Sequence, residues 1–262
     1  MKQRVITAVI ALIIFIPILI FGGVFIDVAA AVLALVALSE VFIMRKRIIV
    51  SADAIVAGLA VLSLVLPTDA FDWLPTGVSQ FDLFYLFVTI LLAITVFTKN
   101  RVNFDDMGVT TLASLYIGLG FHYLAAARNI GGFDTVMYML LIVWITDTGA
   151  YTFGRMFGRH KLWPAISPNK TWEGSIGGTL AAVVVAGIYV YFFPQAYSLP
   201  VMLGLSFIFS ICGQLGDLVE SAYKRYYGVK DSGKILPGHG GILDRFDSML
   251  FVLPLLHLFG LI

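Results

Sequence analysis

Long apolar runs alternate with short polar connections along the whole chain. Runs close to the roughly 20 residues that a helix needs to cross a bilayer recur in series. The pattern therefore predicts an all-α integral membrane protein with about nine transmembrane helices. Two of the predicted helices are short and closely joined, so eight or ten helices remain open. We place the runs at residues 5–25, 27–44, 49–66, 81–98, 108–127, 135–153, 174–193, 200–220 and 245–261.

The polar connections are not evenly distributed. The largest two, residues 154–172 and 221–244, both fall in the second half of the chain. We therefore predict an N-terminal region of about five transmembrane helices, residues 1–134. A C-terminal catalytic region of about four helices with cytoplasmic loops would follow at residues 135–262.

The positions of the basic residues predict the orientation. With the N-terminus in the cytoplasm, every Lys and Arg except Arg128 falls on the cytoplasmic side. Such a bias is the usual guide to membrane topology. Both large polar loops then face the cytoplasm, so they can share one site and meet cytosolic nucleotides.

The composition excludes several classes of protein. Hydrophobic residues make up 60% of the chain and charged residues 13%, whereas a soluble domain is about half apolar and a quarter charged. The net charge of +1 gives no sign of a nucleic-acid partner. Cys212 is the single cysteine, so the chain has no intramolecular disulfide.

A polar cluster near residue 220 stands out in this apolar background. Polar and ionisable groups are costly near a bilayer, so such a cluster indicates a functional site. Asp217, Glu220, Ser221 and Lys224 have offsets of three, four and seven residues, which place them on one helix face. Because Asp217 lies within an apolar run, we expect it to have a partner.

Carboxylates also begin the last predicted helix. Asp244 and Asp247 are three residues apart, and either one can simply complement the helix dipole. Magnesium prefers oxygen ligands and keeps water and substrate phosphates in its shell. Asp217, Asp244 and Asp247 therefore predict a magnesium site, assisted by Asp231 or Glu220. No Cys/His cluster suggests zinc.

A glycine turn precedes these carboxylates. His239-Gly240-Gly241 follows Pro237-Gly238, and a tight turn with free backbone N–H groups can bind phosphate oxygens. Basic residues flank the turn, which favours phosphate chemistry over a plain turn. They are Lys224, Arg225, Lys230 and Arg245.

A second polar block lies between the sixth and seventh apolar runs. Asp147 falls inside an apolar run, so we expect it to face the protein interior. Ser167, Asn169, Lys170 and Thr171 offer hydroxyl, amide and ammonium groups for a phosphate or a base. The glycine-rich lead of a P-loop is absent before Lys170.

Together these segments resemble a known family. The stretch from Ser221 to Asp247, with Lys230-Asp231, His239-Gly240-Gly241 and Asp244-Arg245-Phe246-Asp247, is similar to the signature of phosphatidate cytidylyltransferases, also called CDP-diacylglycerol synthases. The segments DTGAY and SPNKTWEG resemble upstream motifs of the same family. The resemblance covers roughly residues 144–178 and 213–248, and hydropathy alone matches the N-terminal half.

The resemblance implies a reaction and a set of partners. CTP and phosphatidate would give CDP-diacylglycerol and pyrophosphate, with Mg²⁺ as cofactor and a second cation left open. It also implies a homodimer. We expect a multi-pass protein of the cell inner membrane, with membrane lipid as a further partner, no nucleic acid, and an active site that faces the cytoplasm.

Roles for individual residues follow as expectations. Asp217, Asp244, Lys224 and Arg245 would be catalytic, and Asp217, Asp244, Asp247 and Asp231 would hold metal. The remaining polar residues would bind substrate. They are Ser167, Asn169, Lys170, Thr171, Arg225, Lys230, His239, Gly240 and Gly241.

Two other functions stay open on the sequence. A CTP-dependent polyprenol or phytol kinase would use similar membrane chemistry on an alcohol. A cation transporter would use Asp147 and Asp217 along an ion path. The polar groups concentrate on one side of the predicted bilayer, which favours chemistry at the membrane surface over transport.

Overall fold

The computed structural model describes residues 2–262, and the side chains of Lys2, Arg4 and Val5 lie outside that description. The charges that the topology prediction assigns to Lys2 and Arg4 therefore lie outside the described residues. Nine α-helices form between residues 2 and 262, in the order that the hydropathy predicts. They are α1 (Lys2–Phe21), α2 (Val24–Met44), α3 (Ala52–Val65), α4 (Gln80–Phe97), α5 (Phe104–Asn129), α6 (Gly132–Phe157), α7 (Trp172–Phe192), α8 (Leu199–Tyr226) and α9 (Leu243–Leu258).

The helices differ in whether they are long enough to cross a membrane. Within the described chain, six are long and apolar enough: α2, α4, α5, α6, α7 and α8. Helices α3 and α9 have 14 and 16 residues. At 1.5 Å per residue they reach about 21 Å and about 24 Å, less than the roughly 30 Å hydrocarbon core. The all-α membrane fold is confirmed, while nine spans and a cytoplasmic N-terminus stay predictions.

Local sequence explains where several helices begin. Gly22 and Gly23 have φ angles of +61° and +53°, a left-handed conformation that favours glycine, and they separate α1 from α2. Ser79 and Asp82 cap α4 reciprocally, since each side chain accepts a hydrogen bond from the other residue's backbone N–H.

Backbone contacts divide the chain into two compact units. Unit 1 contains the chain up to Ala125 together with Ser232–Leu243, and unit 2 contains Ala126–Asp231 and Asp244–Ile262. The loop at 232–243 thus packs with the first helices. The functional division into residues 1–134 and 135–262 stays a prediction.

A buried ion network closes one end of α2 in unit 1. Arg45 at the end of α2 lies 2.6 Å from Asp106 of α5, and its side chain is only 6% exposed. Arg47 bridges the same carboxylate at 2.8 Å and Asp53 of α3 at 3.1 Å. These basic residues therefore hold helix ends together in unit 1.

Glycines let α6 and α7 approach closely in unit 2. A Cβ on Gly149 would lie 2.9 Å from the Cα of Gly178, and one on Gly174 would lie 3.0 Å from the Cα of Gly154. Side chains larger than hydrogen have no room there. Close backbone packing of this kind fixes the position of the connection between the two helices.

That connection is a short β-hairpin, where the sequence predicts a loop. Strand β1 (Lys161–Trp163) pairs antiparallel with β2 (Ser167–Thr171), with a register irregularity between Lys161 and Trp163. The Thr171 hydroxyl then caps α7 by accepting from the Gly174 N–H at 3.1 Å. The hairpin is anchored at the helix start, so β2 has a fixed position.

Candidate active site

One face of α8 carries the polar cluster that the offsets predict. The Ser221 hydroxyl donates to Asp217 Oδ1 at 3.3 Å, and Lys224 Nζ lies 2.5 Å from Glu220 Oε2. Each pair is four residues apart, so the helix itself brings the partners together. The predicted helix face is confirmed.

Lys224 sits between carboxylates from two helices. Besides Glu220, its ammonium lies 2.6 Å from Asp244 Oδ1 at the start of α9. The side chains of Lys224, Glu220 and Asp244 are 11%, 6% and 5% exposed. Buried charges need close partners because they have lost their hydration. The ammonium therefore holds two carboxylates close together at the helix ends.

The hairpin contributes a second cation. Lys170 on β2 forms an ion pair with Asp217 of α8, with Nζ 2.6 Å from Oδ2. Asp217 thus has the partner that its apolar setting requires. Both side chains are partly exposed, 24% and 29%, so this pair is more accessible to a ligand than the Lys224 group.

Two further aspartates lie in the same electrostatic environment. Asp147 of α6 is within electrostatic range of Asp217, Lys170 and Arg245. Asp247 of α9 is likewise close to Asp217, Asp147 and Lys224. Because these residues come from three helices and a hairpin, the cluster exists only in the folded unit.

Carboxyl groups outnumber cationic groups in this cluster. Its described members are five carboxylates and three cations, a formal charge of minus two. An excess of this kind attracts a cation. The members are Asp147, Lys170, Asp217, Glu220, Lys224, Asp244, Arg245 and Asp247.

Asp147 lines a small pocket inside unit 2. The other lining residues include Thr146, Ser210 and Ser248, which carry hydroxyl groups, and the apolar Val143 and Phe209. The Thr146 and Ser210 hydroxyls are hydrogen bonded to each other at 2.8 Å. The expectation that Asp147 faces the protein interior is met only in part, because Asp147 lines this pocket but the residue is itself exposed.

Two glycines bring α9 against α8. A Cβ on Gly216 would lie 2.7 Å from the Asp247 carbonyl oxygen and 3.0 Å from Phe251 Cβ. Gly213 meets Ser248 and Val252 at ordinary contact distances. These contacts show that α9 approaches α8 closely at the two glycines.

The remaining residues of the hairpin have different surroundings. Asn169 is exposed and Ser167 is partly buried. Thr171 is 7% exposed and packs against Gly158 while it caps α7. Arg225 donates from Nε to the Ile166 carbonyl at 3.4 Å. Arg225 therefore connects the end of α8 to the hairpin turn. The substrate contacts predicted for the residues in this paragraph stay predictions.

Lys230 and Asp231 lie in the turn after α8, and both are exposed. Gly228, with a φ of +68°, ends the helix before them. Asp231 makes no ion pair with any residue that the structure describes. Its predicted role as a metal ligand therefore gains no support from the contacts of the cluster.

The glycine turn of unit 1 adopts a defined geometry. The His239 N–H donates to the Leu236 carbonyl at 2.8 Å, with Pro237 and Gly238 between them. Gly238 has a φ of +78°, which a type II turn requires at this position. The expectation of a free backbone N–H is therefore wrong for His239, because this N–H donates to the Leu236 carbonyl within the turn.

The His239 side chain has a different character. Its Nδ1 is buried and has no hydrogen-bond partner within residues 2–262 of the described structure. A buried polar atom without a partner is costly.

Comparison with known proteins identifies the family. The sequence model of the cytidylyltransferase family matches residues 2–262. The chain belongs to the cytidylyltransferase family. Among its relatives, a protein named phosphatidate cytidylyltransferase from Staphylococcus haemolyticus strain JCSC1435 is 49% identical over 260 residues, which cover 98% of each chain. Proteins of the same name from Staphylococcus aureus strain COL and Staphylococcus saprophyticus are 47% and 46% identical, again over 98% of each chain.

Cytidylyltransferase chemistry raises the question of a metal ion. No group of three or more His, Cys, Asp or Glu side chains is arranged to hold a metal in the described part of this chain. Magnesium usually takes one or two protein carboxylates and completes its shell with water and substrate phosphates. The donors here are carboxylate oxygens with excess negative charge, so their chemistry fits such an ion.

Sequence reasoning missed one polar residue in this cytidylyltransferase family member. Glu40 of α2 is 1% exposed and accepts hydrogen bonds from Ser232, Ile242 and Leu243. All four residues belong to unit 1. A lone acid within a long apolar run was the available signal, but hydropathy alone does not say what it binds.

Proposed function

We propose that this protein is a phosphatidate cytidylyltransferase, which transfers CMP from CTP to phosphatidate and releases pyrophosphate. The observation that carries the proposal is the 46–49% identity, over 98% of each chain, to proteins of that name. The charged cluster on α8, α9 and the hairpin supports it, since carboxylates and cations together suit phosphate chemistry.

The nucleophile needs little activation in this reaction. A phosphate oxygen of phosphatidate attacks the α-phosphorus of CTP and forms a new P–O bond. The bond from the α-phosphorus to the bridging oxygen breaks, and pyrophosphate leaves with the electron pair. A phosphate monoester is mostly a dianion at pH 7, because its second pKa is about 6. We therefore assign no general base, and His239 acts as a phosphate contact.

The main barrier is the approach of two anions. Lys170 and Arg245 would neutralise phosphate charge, and the partly exposed Lys170 is the more accessible of the two ammonium groups in the cluster. Lys224 would hold Asp244 and Glu220 in place, and its positive charge would also help to neutralise phosphate. Fixed charges of this kind stabilise a transition state because they need no reorganisation during the reaction.

Magnesium would be held by Asp217, Asp244 and Asp247. When bound, it would stabilise the charge on the triphosphate and on the leaving pyrophosphate. Asp231 stays a weaker candidate, and a second cation stays open. Substrate binding would fall to the polar residues of the hairpin, the end of α8 and the glycine turn: Ser167, Asn169, Lys170, Thr171, Arg225, Lys230, His239, Gly240 and Gly241.

The location of the reaction follows from its substrates. Acyl chains leave the bilayer only at a large hydrophobic cost, so phosphatidate would enter from the membrane side. We propose an inner-membrane protein with its site facing the cytoplasm, where CTP is available and where the basic loops are expected. We also propose a homodimer, on the resemblance to the family.

A labelling assay tests the proposed reaction. Purified protein in detergent receives phosphatidate and CTP labelled in the cytidine ring, with and without magnesium. Cytidine label in the lipid phase only with metal is the expected result. Label that never reaches lipid, while CTP phosphorylates an isoprenoid alcohol, would replace the proposal with the kinase function. Nucleotide-independent ion flux in liposomes would instead support a transporter.

A further inference from the structure

One buried carboxylate binds both ends of the glycine loop in unit 1. Glu40 accepts from the Ser232 hydroxyl at 3.0 Å, where the loop 232–243 begins. It also accepts from the backbone N–H groups of Ile242 and Leu243, at 2.7 Å and 2.9 Å, where the loop ends. A single side chain thus closes a loop that extends over twelve residues.

Glycines provide the space for this contact at each end of the loop. A Cβ on Gly233 would lie 2.6 Å from Glu40 Oε1, and a Cβ on Gly241 would meet the same carboxylate and the Ser232 hydroxyl. The φ angle of Gly241 is not positive, unlike that of Gly240 at +86°. Gly241 is therefore required for space, whereas Gly240 is required for backbone conformation.

The loop between these ends is tightly organised. Leu236 donates its N–H to the Gly240 carbonyl at 3.0 Å, around the turn at Pro237 and Gly238. The Thr7 hydroxyl of α1 donates to the Pro237 carbonyl at 3.0 Å. The loop is thus held at its tip by α1 and at its ends by α2.

Burying a carboxylate costs more free energy than burying an apolar side chain of similar size. Burying a charge is tolerated only when hydrogen bonds replace its hydration, and an apolar side chain would pack at lower cost. Three donors on one carboxylate, from both ends of one loop, indicate a role in fixing the loop conformation. Closing a loop also removes conformational freedom that a ligand would otherwise have to remove on binding.

We propose that Glu40 is a positioning residue, which fixes the loop 232–243 so that the His239-Gly240-Gly241 segment is preorganised for the phosphates of CTP. This inference rests on the proposed function for its ligand. The contact between Glu40 and the loop does not depend on the proposed function. One measurement therefore tests the contact, and a second tests its effect on CTP binding.

The first measurement is hydrogen exchange on the full-length protein in lipid nanodiscs. Glu40→Gln replaces one acceptor oxygen with a donor, so the amides of residues 242 and 243 lose part of their protection. We expect their exchange to accelerate about tenfold, as the loss of one charge-assisted hydrogen bond implies. Ser39→Ala is the matched control, because it is the neighbouring residue and its hydroxyl donates to the Val36 carbonyl of its own helix.

The second measurement is the steady-state kinetics of cytidylyl transfer. We expect Glu40→Gln to raise the KM for CTP about tenfold and to leave the KM for phosphatidate within about twofold, on the same hydrogen-bond estimate. Ser232→Ala removes the hydroxyl bond to Glu40 but leaves the two backbone bonds, so it should shift the KM for CTP in the same direction by less. A purely structural role would lower folded yield without this selective change.

A compensating pair tests the contact directly. Gly241→Ala fills the space beside the carboxylate, and Glu40→Asp shortens that side chain. The double variant should therefore have a lower KM for CTP than Gly241→Ala alone. An equal defect in the single and double variants would overturn the inference. So would a folded Glu40→Gln protein with unchanged exchange at 242–243 and unchanged KM for CTP.

The two proposals fail in different ways. A wild-type protein without cytidylyl transfer would remove the proposed function, and hydrogen exchange would still decide whether Glu40 fixes the loop. An active wild type with normal Glu40→Gln kinetics and exchange would remove only the inference about Glu40.

Discussion

Lys170 Nζ lies 2.6 Å from Asp217 Oδ2, and this ion pair joins the β-hairpin to the polar face of α8. Both side chains are partly exposed, so substrate phosphate or a metal ion has access to the pair. Solvent screens a partly exposed ion pair, so its net contribution to stability is small. We therefore expect its main contribution to be to activity rather than to stability.

Variants at this pair separate the two contributions. Lys170→Met and Asp217→Asn should each lower kcat/KM about a hundredfold, a typical cost for removing one fixed charge from a transition state. The double variant should regain any thermal stability that the single variants lose, because no unpaired charge remains. It should not regain activity. Steady-state assays and thermal unfolding in detergent measure the two effects.

Lys161→Met is the control for this prediction, because Lys161 is an exposed lysine on the neighbouring strand β1. Its activity should stay within about twofold of wild type, as for most surface substitutions. Recovery of activity in the Lys170→Met/Asp217→Asn protein would show that the pair acts only on structure.

Lys224 should contribute more to stability than the Lys170–Asp217 pair does, because the side chains around Lys224 are buried. Lys224→Met leaves the carboxylates of Glu220 and Asp244 without their shared ammonium. Breaking a buried pair costs about 3–5 kcal/mol, so the free energy of unfolding should fall by that order. Lys230→Met, at an exposed position six residues further on, is the control. Equal unfolding temperatures for the two variants would contradict this prediction.

The close approach of α8 and α9 predicts sensitivity to one methyl group. Gly216→Ala places a Cβ 2.7 Å from the Asp247 carbonyl oxygen, and overpacking of this kind costs about 1–3 kcal/mol. Gly204 lies in the same helix, and no other element of the described chain comes within 4 Å of the place that a methyl group would take there. Gly204→Ala should therefore be neutral or slightly stabilising. Thermal unfolding of both variants, measured side by side, checks the difference.

Chelation should reveal the proposed magnesium requirement. We expect EDTA to abolish cytidylyl transfer and excess Mg²⁺ to restore it, since water and phosphates would complete the ion's shell. Manganese bound in the presence of CTP is observable by electron paramagnetic resonance. Asp217→Asn or Asp244→Asn should weaken that signal. Asp231→Asn tests whether Asp231, the weaker candidate, is also a metal ligand. Wild-type turnover that persists in EDTA would argue against a metal-dependent reaction.

Sequence patterns predict much of this fold because membrane helices are specified locally. Each apolar run carries its own length and hydropathy, and nine helices follow that order in residues 2–262. The helix face of Asp217, Glu220, Ser221 and Lys224 is equally local, because helical periodicity alone brings residues four apart together. The hairpin at 161–171 was not predicted, since its strands are short and depend on the packing of α6 against α7.

The sequence by itself determined the class of protein, the order of its helices and the segments that carry its chemistry. Only the tertiary structure decided which charges meet: Lys170 with Asp217, Lys224 with Asp244, and Glu40 with both ends of the loop 232–243. Pairs so distant in sequence leave no periodic signal. They form because a charge that loses some or all of its water when the helices pack needs a partner.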